Sequence, residues 1–170
     1  MYLALVHIEN YKGIAKLTTK FQKDINVIIG ENGSNKTALI DAIRLLYNLG
    51  NQQKDLYVNI EDFHLGTEII KIVYEFRDLS PQQKGAFYEY LVLTDEEKSD
   101  FARITLTYRK ENQRVIFSYH TGEIEGQKAD SETFQLLIHY YLSALRDSTR
   151  DLLTNRGNIL GGLISRQIEK

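Results

Sequence analysis

The sequence predicts an α/β fold in which a mixed sheet wraps around one central helix and carries an antiparallel hairpin arm. Two observations predict this fold. An apolar run at 25–29 ends abruptly at Gly30, and helical periodicity follows from 36 to 49. Farther along, the stretches 70–76 and 104–119 alternate apolar and polar residues, which is typical of half-buried antiparallel strands.

The elements of the first half are predicted from composition and spacing. Residues 2–9 and 25–29 are rich in Val, Ile and Leu and predict strands, the second of them central and buried. The helix from 36 to 49 is amphipathic, and Gly50 stands where a C-terminal cap belongs. Its predicted apolar face consists of Leu39, Ile40, Ile43, Leu46 and Tyr47.

The second half predicts antiparallel strands and then becomes ambiguous. The strand at 70–76 is followed by a short helix that Pro81 opens and that runs through Leu91. The stretches 104–108 and 115–119 form a hairpin across the polar turn 110–113, and 121–131 is a polar loop. Residues 134–145 suit a helix or a strand, because periodicity alone does not decide between them. Asn158 is predicted to cap a last helix at 159–170.

Composition limits the class of protein. A chain of 170 residues, 42% apolar and 26% charged, suits one soluble domain or one lobe of a larger assembly. A net charge of -2 gives no overall attraction to nucleic acid or to an anionic membrane. The absence of cysteine excludes disulfides and thiolate metal sites. No apolar run approaches the roughly 20 residues that a membrane span needs, and the N-terminus has no signal-peptide pattern. We therefore expect a cytoplasmic protein without a membrane partner.

The loop between the second predicted strand and the helix carries the chemistry. It reads G-E-N-G-S-N-K-T at 30–37. A phosphate-binding loop needs backbone N–H groups that converge on a phosphate before a helix N-terminus, a lysine for the β- and γ-phosphates and a hydroxyl for Mg²⁺. Lys36 and Thr37 supply the last two at the expected spacing, so the cofactors we expect are ATP and Mg²⁺. The predicted binding residues of the loop are Gly30, Asn32, Gly33, Ser34, Asn35, Lys36 and Thr37, with Thr37 also the metal ligand.

Asn35 stands where this pattern normally has its second glycine. Asparagine is the residue other than glycine that best tolerates left-handed backbone angles, so the loop is still expected to form. Its side chain adds bulk near the phosphates, and on that ground glycine at this position is expected to tighten binding. The opposite possibility is an amide that donates a hydrogen bond to a phosphate oxygen. A further alternative is a loop that keeps its shape without binding nucleotide.

Two stretches resemble the opening of an SMC/RecF-type ABC ATPase. They read I-E-N-Y-K-G-I at 8–14 and I-I-G-E-N-G-S-N-K-T-A-L-I-D-A-I at 28–43. Only Tyr11, for phenylalanine, and Asn35, for glycine, depart from the pattern of that group. The resemblance implies an ABC-head fold, a position near the nucleotide for Lys12, and an Asn32 that faces the γ-phosphate. The alternative for Lys12 is a solvated lysine at the end of a strand.

A looser resemblance to the OLD-type (overcoming lysogenisation defect) ATP-dependent endonucleases spans nearly the whole chain. It rests on stretches at 60–64, 69–76, 78–80, 141–147 and 160–164. The resemblance implies an ATPase head that dimerises, a Toprim nuclease domain, nucleic acid bound by the full assembly, and a role in defence against phage. The alternatives are a DNA-repair ATPase of the SMC/RecF kind, and a non-catalytic interaction module that uses the loop to dock on a partner.

An ABC head also needs a signature loop and a Walker B strand, and neither is recognisable at 1–170. We therefore expect 1–170 to be the N-terminal lobe of such a head. A second copy, or a partner that carries the rest of the head and a nuclease, would complete it. Alone, the lobe is expected to hydrolyse ATP poorly.

Three weaker candidates remain. Glu61, Asp62 and His64 have the chemistry of a metal site, but a solvated loop before a strand is the favoured interpretation. His7 and His139 sit in apolar surroundings and are predicted to be core residues. The basic residues of the tail suit a phosphate-contacting surface, although interleaved acids favour an ordinary solvated face. They are Arg146, Arg150, Arg156, Arg166 and Lys170.

Overall fold

The computed structural model describes residues 1–49, 56–93 and 100–128, together with Phe134, Leu137 and Tyr141. Residues 1–137 form one compact unit, and of the second unit, 138–170, only Tyr141 is described. The expected Gly50 cap, nearly all of 134–145, His139, the helix at 159–170 and the basic residues of the tail therefore lie outside the described residues.

Six strands and two α-helices make up the described fold. In chain order they are β1 (Tyr2–Tyr11), β2 (Ile14–Lys20), α1 (Lys36–Tyr47), β3 (Ile69–Arg77), α2 (Pro81–Ala86), β4 (Leu91–Val92), β5 (Phe101–Glu111) and β6 (Arg114–Thr121). The strand order is β2-β1-β3-β5-β4, and β6 also pairs with β5. Every described pair is antiparallel. The predicted α/β fold, the strands β1 and β3, and the β5–β6 hairpin are confirmed, whereas β2 and the short β4 were not predicted.

One face of the sheet forms the core with α1. The inward residues of β3 and β5 alternate along each strand and are almost fully buried, as their apolar spacing predicts: Ile70, Ile72, Tyr74, Ile104 and Leu106. A hydrogen bond of 2.5 Å from the Tyr74 hydroxyl to the Ala42 carbonyl joins β3 to α1. The helix that follows the loop is thereby fixed to the centre of the sheet.

The buried face of α1 differs in part from the prediction. Leu39 and Leu46 are buried as expected, but Ile40, Ile43 and Tyr47 are only partly buried. The rest of the apolar contact comes from residues that the prediction omitted: Ala38, Ala42 and Leu45. Short alanine side chains let the helix backbone approach the sheet closely, which is why a tyrosine of β3 can reach a helix carbonyl.

The predicted strand at 25–29 is wrong in this structure. Residues 25–30 have no regular secondary structure and no strand pairing. Ile25, Val27 and Ile29 are 86%, 76% and 89% exposed. An apolar β-branched run favours an extended backbone, but it becomes a buried strand only when neighbouring strands cover it. The antiparallel sheet of the described residues supplies no such neighbour.

The predicted helix at 81–91 is shorter than expected. Ser80 caps α2 by accepting from the Gln83 N–H at 3.2 Å, and Pro81 occupies its first turn. The helix ends at Ala86, after which a 3₁₀ turn at Tyr88–Tyr90 leads into β4. No helix within the described ranges is long and apolar enough to cross a bilayer.

Candidate functional site

The loop at 30–37 forms a compact turn directly before α1. The Ser34 N–H donates to the Glu31 carbonyl at 3.2 Å, and Gly33 has a φ of +83°, a value that glycine adopts without strain. Asn35 has a φ of 61° and a ψ of 18°, the left-handed conformation that the sequence requires of this position. Lys36 is then the first residue of α1. The asparagine therefore keeps the backbone shape that glycine would give.

The Lys36 ammonium lies over this turn. It donates to the Gly30 carbonyl at 2.7 Å, to the Glu31 carbonyl at 2.6 Å and to Ser34 Oγ at 3.3 Å. Neutral carbonyl and hydroxyl oxygens hold the cation here without neutralising it. The loop thus carries a positive charge at its mouth, where charge-assisted hydrogen bonds to an anion are favourable.

The N-terminus of α1 is open to a ligand. No side chain caps it, and its first turn contains no acidic residue. The first N–H groups of a helix have no partner within the helix, and the helix dipole makes this end partly positive. The Thr37 hydroxyl is also exposed in this first turn. Backbone donors, an ammonium and a hydroxyl therefore converge at one place.

A cavity of about 350 Å³ lies at this convergence. Its walls are Lys12, Asn32, Gly33, Ser34, Asn35, Lys36, Thr37 and Ala38. The structure therefore brings together all of the predicted binding residues except Gly30, which faces the Lys36 ammonium through its carbonyl instead. Ala38 is the only wall residue that the sequence did not single out.

Lys12 reaches the cavity from the turn between β1 and β2. It is not a solvated strand-end lysine, because its ammonium lies 2.6 Å from Asp41 Oδ2, on the buried side of α1. The other oxygen of Asp41 lies 3.1 Å from Arg44. Asp41 was not predicted from the sequence to contact the site. The sequence feature that could have indicated this contact is the position of Asp41 on the helix. It stands five residues after Lys36, which places its carboxylate more than one helical turn behind the loop.

The turn that carries Lys12 is fixed from two sides. The Lys12 N–H donates to the Asp62 carbonyl at 2.6 Å, and His64 Nδ1 lies 3.0 Å from the Lys12 carbonyl. On the other side, Asn35 Nδ2 donates to the Gly13 carbonyl at 3.2 Å.

The alternative metal site at Glu61, Asp62 and His64 is not assembled. The side chain of Asp62 accepts from the Asn59 N–H at 2.8 Å, and the His64 ring contacts the Lys12 carbonyl. No group of three or more acidic or histidine side chains suited to a metal ion occurs in the described part of the chain. His7, predicted to lie in the core, is only partly buried, with Nδ1 2.6 Å from Thr18 Oγ1 and Nε2 3.1 Å from Glu9 Oε1.

The fold and the loop define a P-loop domain of the ATPase-head type. The profile of the AAA ATPase domain family matches residues 1–160, and the chain therefore belongs to this family.

Solved structures with the same fold include heads of SMC proteins. One, from work on ATP-driven dimerisation and DNA-stimulated activation of SMC ATPases, aligns with a TM-score of 0.57 and 16% identity. It covers 99% of this chain and 96% of that chain. Another, the Smc head bound to the C-terminal winged-helix domain of ScpA, aligns with a TM-score of 0.52 and 17% identity. That alignment covers 79% of this chain and 39% of the Smc chain. The likeness establishes the ABC-type head fold.

Sequence relatives include the DNA replication and repair protein RecF of Bacillus thuringiensis and of Bacillus cereus. Each is 41% identical over 46 residues, which is 27% of this chain. The matched segment spans only 12% of the length of these RecF proteins.

Proposed function

We propose that the loop at 30–37 binds ATP with Mg²⁺. The observation that carries the proposal is the Lys36 ammonium, held by loop oxygens beside the uncapped N-terminus of α1 and the cavity in front of it. This arrangement suits a polyphosphate, because backbone N–H groups and the helix dipole favour negative charge at this point. Membership in an ATPase family supports the choice of nucleotide.

Each residue has a specific role in this proposal. The N–H groups of Gly30, Gly33, Asn35 and Thr37 contact phosphate oxygens, and the Lys36 ammonium leaves the loop carbonyls to neutralise the β- and γ-phosphates. Asn32, an exposed wall residue, faces the γ-phosphate. The Thr37 hydroxyl fits Mg²⁺ as a single protein ligand, since Mg²⁺ keeps several waters and takes phosphate oxygens as its other ligands.

At the level of the whole protein, we propose that 1–170 is the N-terminal lobe of an OLD-like ATPase head that regulates a nuclease in defence against phage. The exposed segment 25–29 supports the proposal that this lobe packs against another one, because strands of a second lobe would cover its apolar side chains. That lobe would belong to the same protein or to a partner, with nucleic acid bound by the full assembly.

A DNA-repair ATPase of the SMC/RecF kind is the second candidate. The RecF match over 46 residues and the SMC-head fold favour it. The sequence encoded immediately after Lys170 separates the two candidates. A Toprim segment would support the OLD-like protein, and a second head lobe without a nuclease would support the repair ATPase.

The test of nucleotide binding is calorimetric titration of the 170-residue chain with ATP and Mg²⁺. Lys36→Ala is expected to abolish binding, because it removes the cation that neutralises the phosphates. Lys23→Ala is the matched control, since Lys23 is an exposed lysine paired with Asp78 outside the cavity. Equal affinity in the wild type and in Lys36→Ala would contradict the proposal.

The same preparation tests whether the chain is more than a binding module. We expect negligible ATP turnover and no nuclease activity from it alone. Turnover that Lys36→Ala abolishes would reveal a catalytic base within the chain. Absence of any nucleotide binding would favour the non-catalytic interaction module instead.

A further inference from the structure

The side chain of Asn35 points toward the β1–β2 turn. Its Nδ2 donates to the Gly13 carbonyl at 3.2 Å, which links the first residue before α1 to the turn that carries Lys12. The sequence alone suggested bulk beside the phosphates or a hydrogen bond to them. The observed partner is the backbone of the neighbouring turn.

The contact between Asn35 and Gly13 also depends on the small size of Gly13. A Cβ built on Gly13 would overlap Asn35 Oδ1 and would lie 2.9 Å from Asn35 Cγ. Its three nearest atoms all belong to that one side chain. Gly13 is not in the left-handed region, so its own backbone angles do not require glycine. A side chain at position 13 would therefore have to displace the Asn35 amide.

Lys12 is held in an unusual conformation next to this contact. Its φ of 51° is in the left-handed region, which is unfavourable for a lysine and is stabilised here by the surrounding contacts. The Asp62 carbonyl and His64 fix the turn from one side, and Asn35 fixes it from the side of the cavity. Lys12 lines the same cavity as the loop, and its ammonium lies 2.6 Å from Asp41 Oδ2.

From these contacts we infer that Asn35 is a positioning residue: through Gly13 it holds the turn so that Lys12 reaches the phosphates of the bound nucleotide. The inference rests on the proposed function, because it assigns Lys12 to that nucleotide. Asparagine is larger than glycine at this position, but it links the loop to the turn that carries a second cation, Lys12. Replacement of Asn35 by glycine should therefore weaken binding, the reverse of the expectation from steric bulk.

The test is a double-mutant cycle on the affinity for ATP with Mg²⁺. Lys12→Met keeps the length of the side chain and is expected to weaken binding about tenfold in the wild-type background. Asn35→Gly keeps the left-handed backbone, removes the amide, and is expected to weaken binding about threefold. In the Asn35→Gly background the effect of Lys12→Met should fall to about threefold, because Asn35→Gly should have no effect of its own once Lys12 is replaced. If Asn35 only stabilised the fold, Lys12→Met would have the same effect on affinity in the wild-type and in the Asn35→Gly backgrounds.

A second pair of variants tests the contact from the other side. Gly13→Ala is expected to weaken binding, because its methyl group displaces the Asn35 amide. The same change in the Asn35→Gly background should have almost no effect, since the overlapping side chain is gone. Thermal unfolding of every variant verifies that all of them are folded at the titration temperature.

The outcomes separate this inference from the proposed function. Equal effects of Lys12→Met in both backgrounds, or unchanged or tighter binding by Asn35→Gly, would overturn the inference while the requirement for Lys36 stands. Absence of ATP binding by the wild-type chain, or full binding by Lys36→Ala, would overturn the proposed function and the inference with it.

Discussion

The ammonium of Lys12 lies 2.6 Å from Oδ2 of Asp41, and this ion pair joins the β1–β2 turn to the helix that follows the phosphate-binding loop. The carboxylate is nearly buried, with 9% of its side chain exposed, and it also accepts from Arg44 at 3.1 Å. One acidic group therefore balances two cations behind the cavity.

Removal of this charge should destabilise the fold. Asp41→Asn removes the anion that Lys12 and Arg44 share, and we expect a loss of about 2 kcal/mol in the free energy of unfolding. Urea denaturation measures it. Asp78→Asn is the matched control, because Asp78 forms an exposed pair with Lys23 and asparagine suits its φ of 59°. No measurable change is expected there. Equal stability of Asp41→Asn and the wild type would show that the pair contributes nothing.

The hydrogen bond from Tyr74 to Ala42 should contribute to the docking of α1. Tyr74 is fully buried, and burial raises the pKa of its hydroxyl well above the usual range, so the group remains a donor. Tyr74→Phe removes the donor without a large change in volume and is expected to cost about 1 kcal/mol. Tyr88→Phe, at a residue that is 74% exposed, should be neutral. Equal unfolding midpoints for the two variants would contradict the assigned role.

The exposed segment 25–29 should make the isolated chain self-associate. Ile25, Val27 and Ile29 present exposed apolar side chains on a segment without strand partners, an arrangement that favours association. Val27→Lys is expected to lower the apparent mass in concentrated solution, with little change in stability because the side chain is exposed. Light scattering measures the first and thermal unfolding the second. Val27→Leu, which stays apolar, should behave as the wild type does; association that is the same in all three chains would refute the interpretation.

His120 should make stability depend on pH. Burial lowers its pKa from the usual 6.5, with Lys71 and Arg103 acting in the same direction and Glu125 opposing them. Because the unfolded chain binds the proton more tightly, this contribution to stability is fully present above about pH 6.5 and is lost as the pH falls toward the folded-state pKa. Stability should therefore fall more steeply between pH 7 and pH 5.5 in the wild type than in His120→Gln. Parallel profiles for the two proteins would contradict this.

Sequence patterns were sufficient to predict those elements that depend on residues close together along the chain. The alternation at Ile70, Ile72 and Tyr74 predicted β3 because side chains of a strand point alternately to its two faces. The loop at 30–37 was predictable because its chemistry depends on spacing along one short segment. β2 was missed because most of its residues are exposed and its apolar alternation is weak.

The sequence by itself determined the α/β fold, the position of the loop before α1 and the left-handed backbone of Asn35, since each depends on residues that are close along the chain. The tertiary structure alone decided that Asn35 contacts Gly13, that Lys12 pairs with Asp41, and that 25–29 stays uncovered. These contacts join residues 22 and 29 positions apart, or depend on which strands lie beside the segment. A local sequence pattern does not specify a contact partner that is so distant along the chain, because the two residues meet only when the sheet and the helix pack.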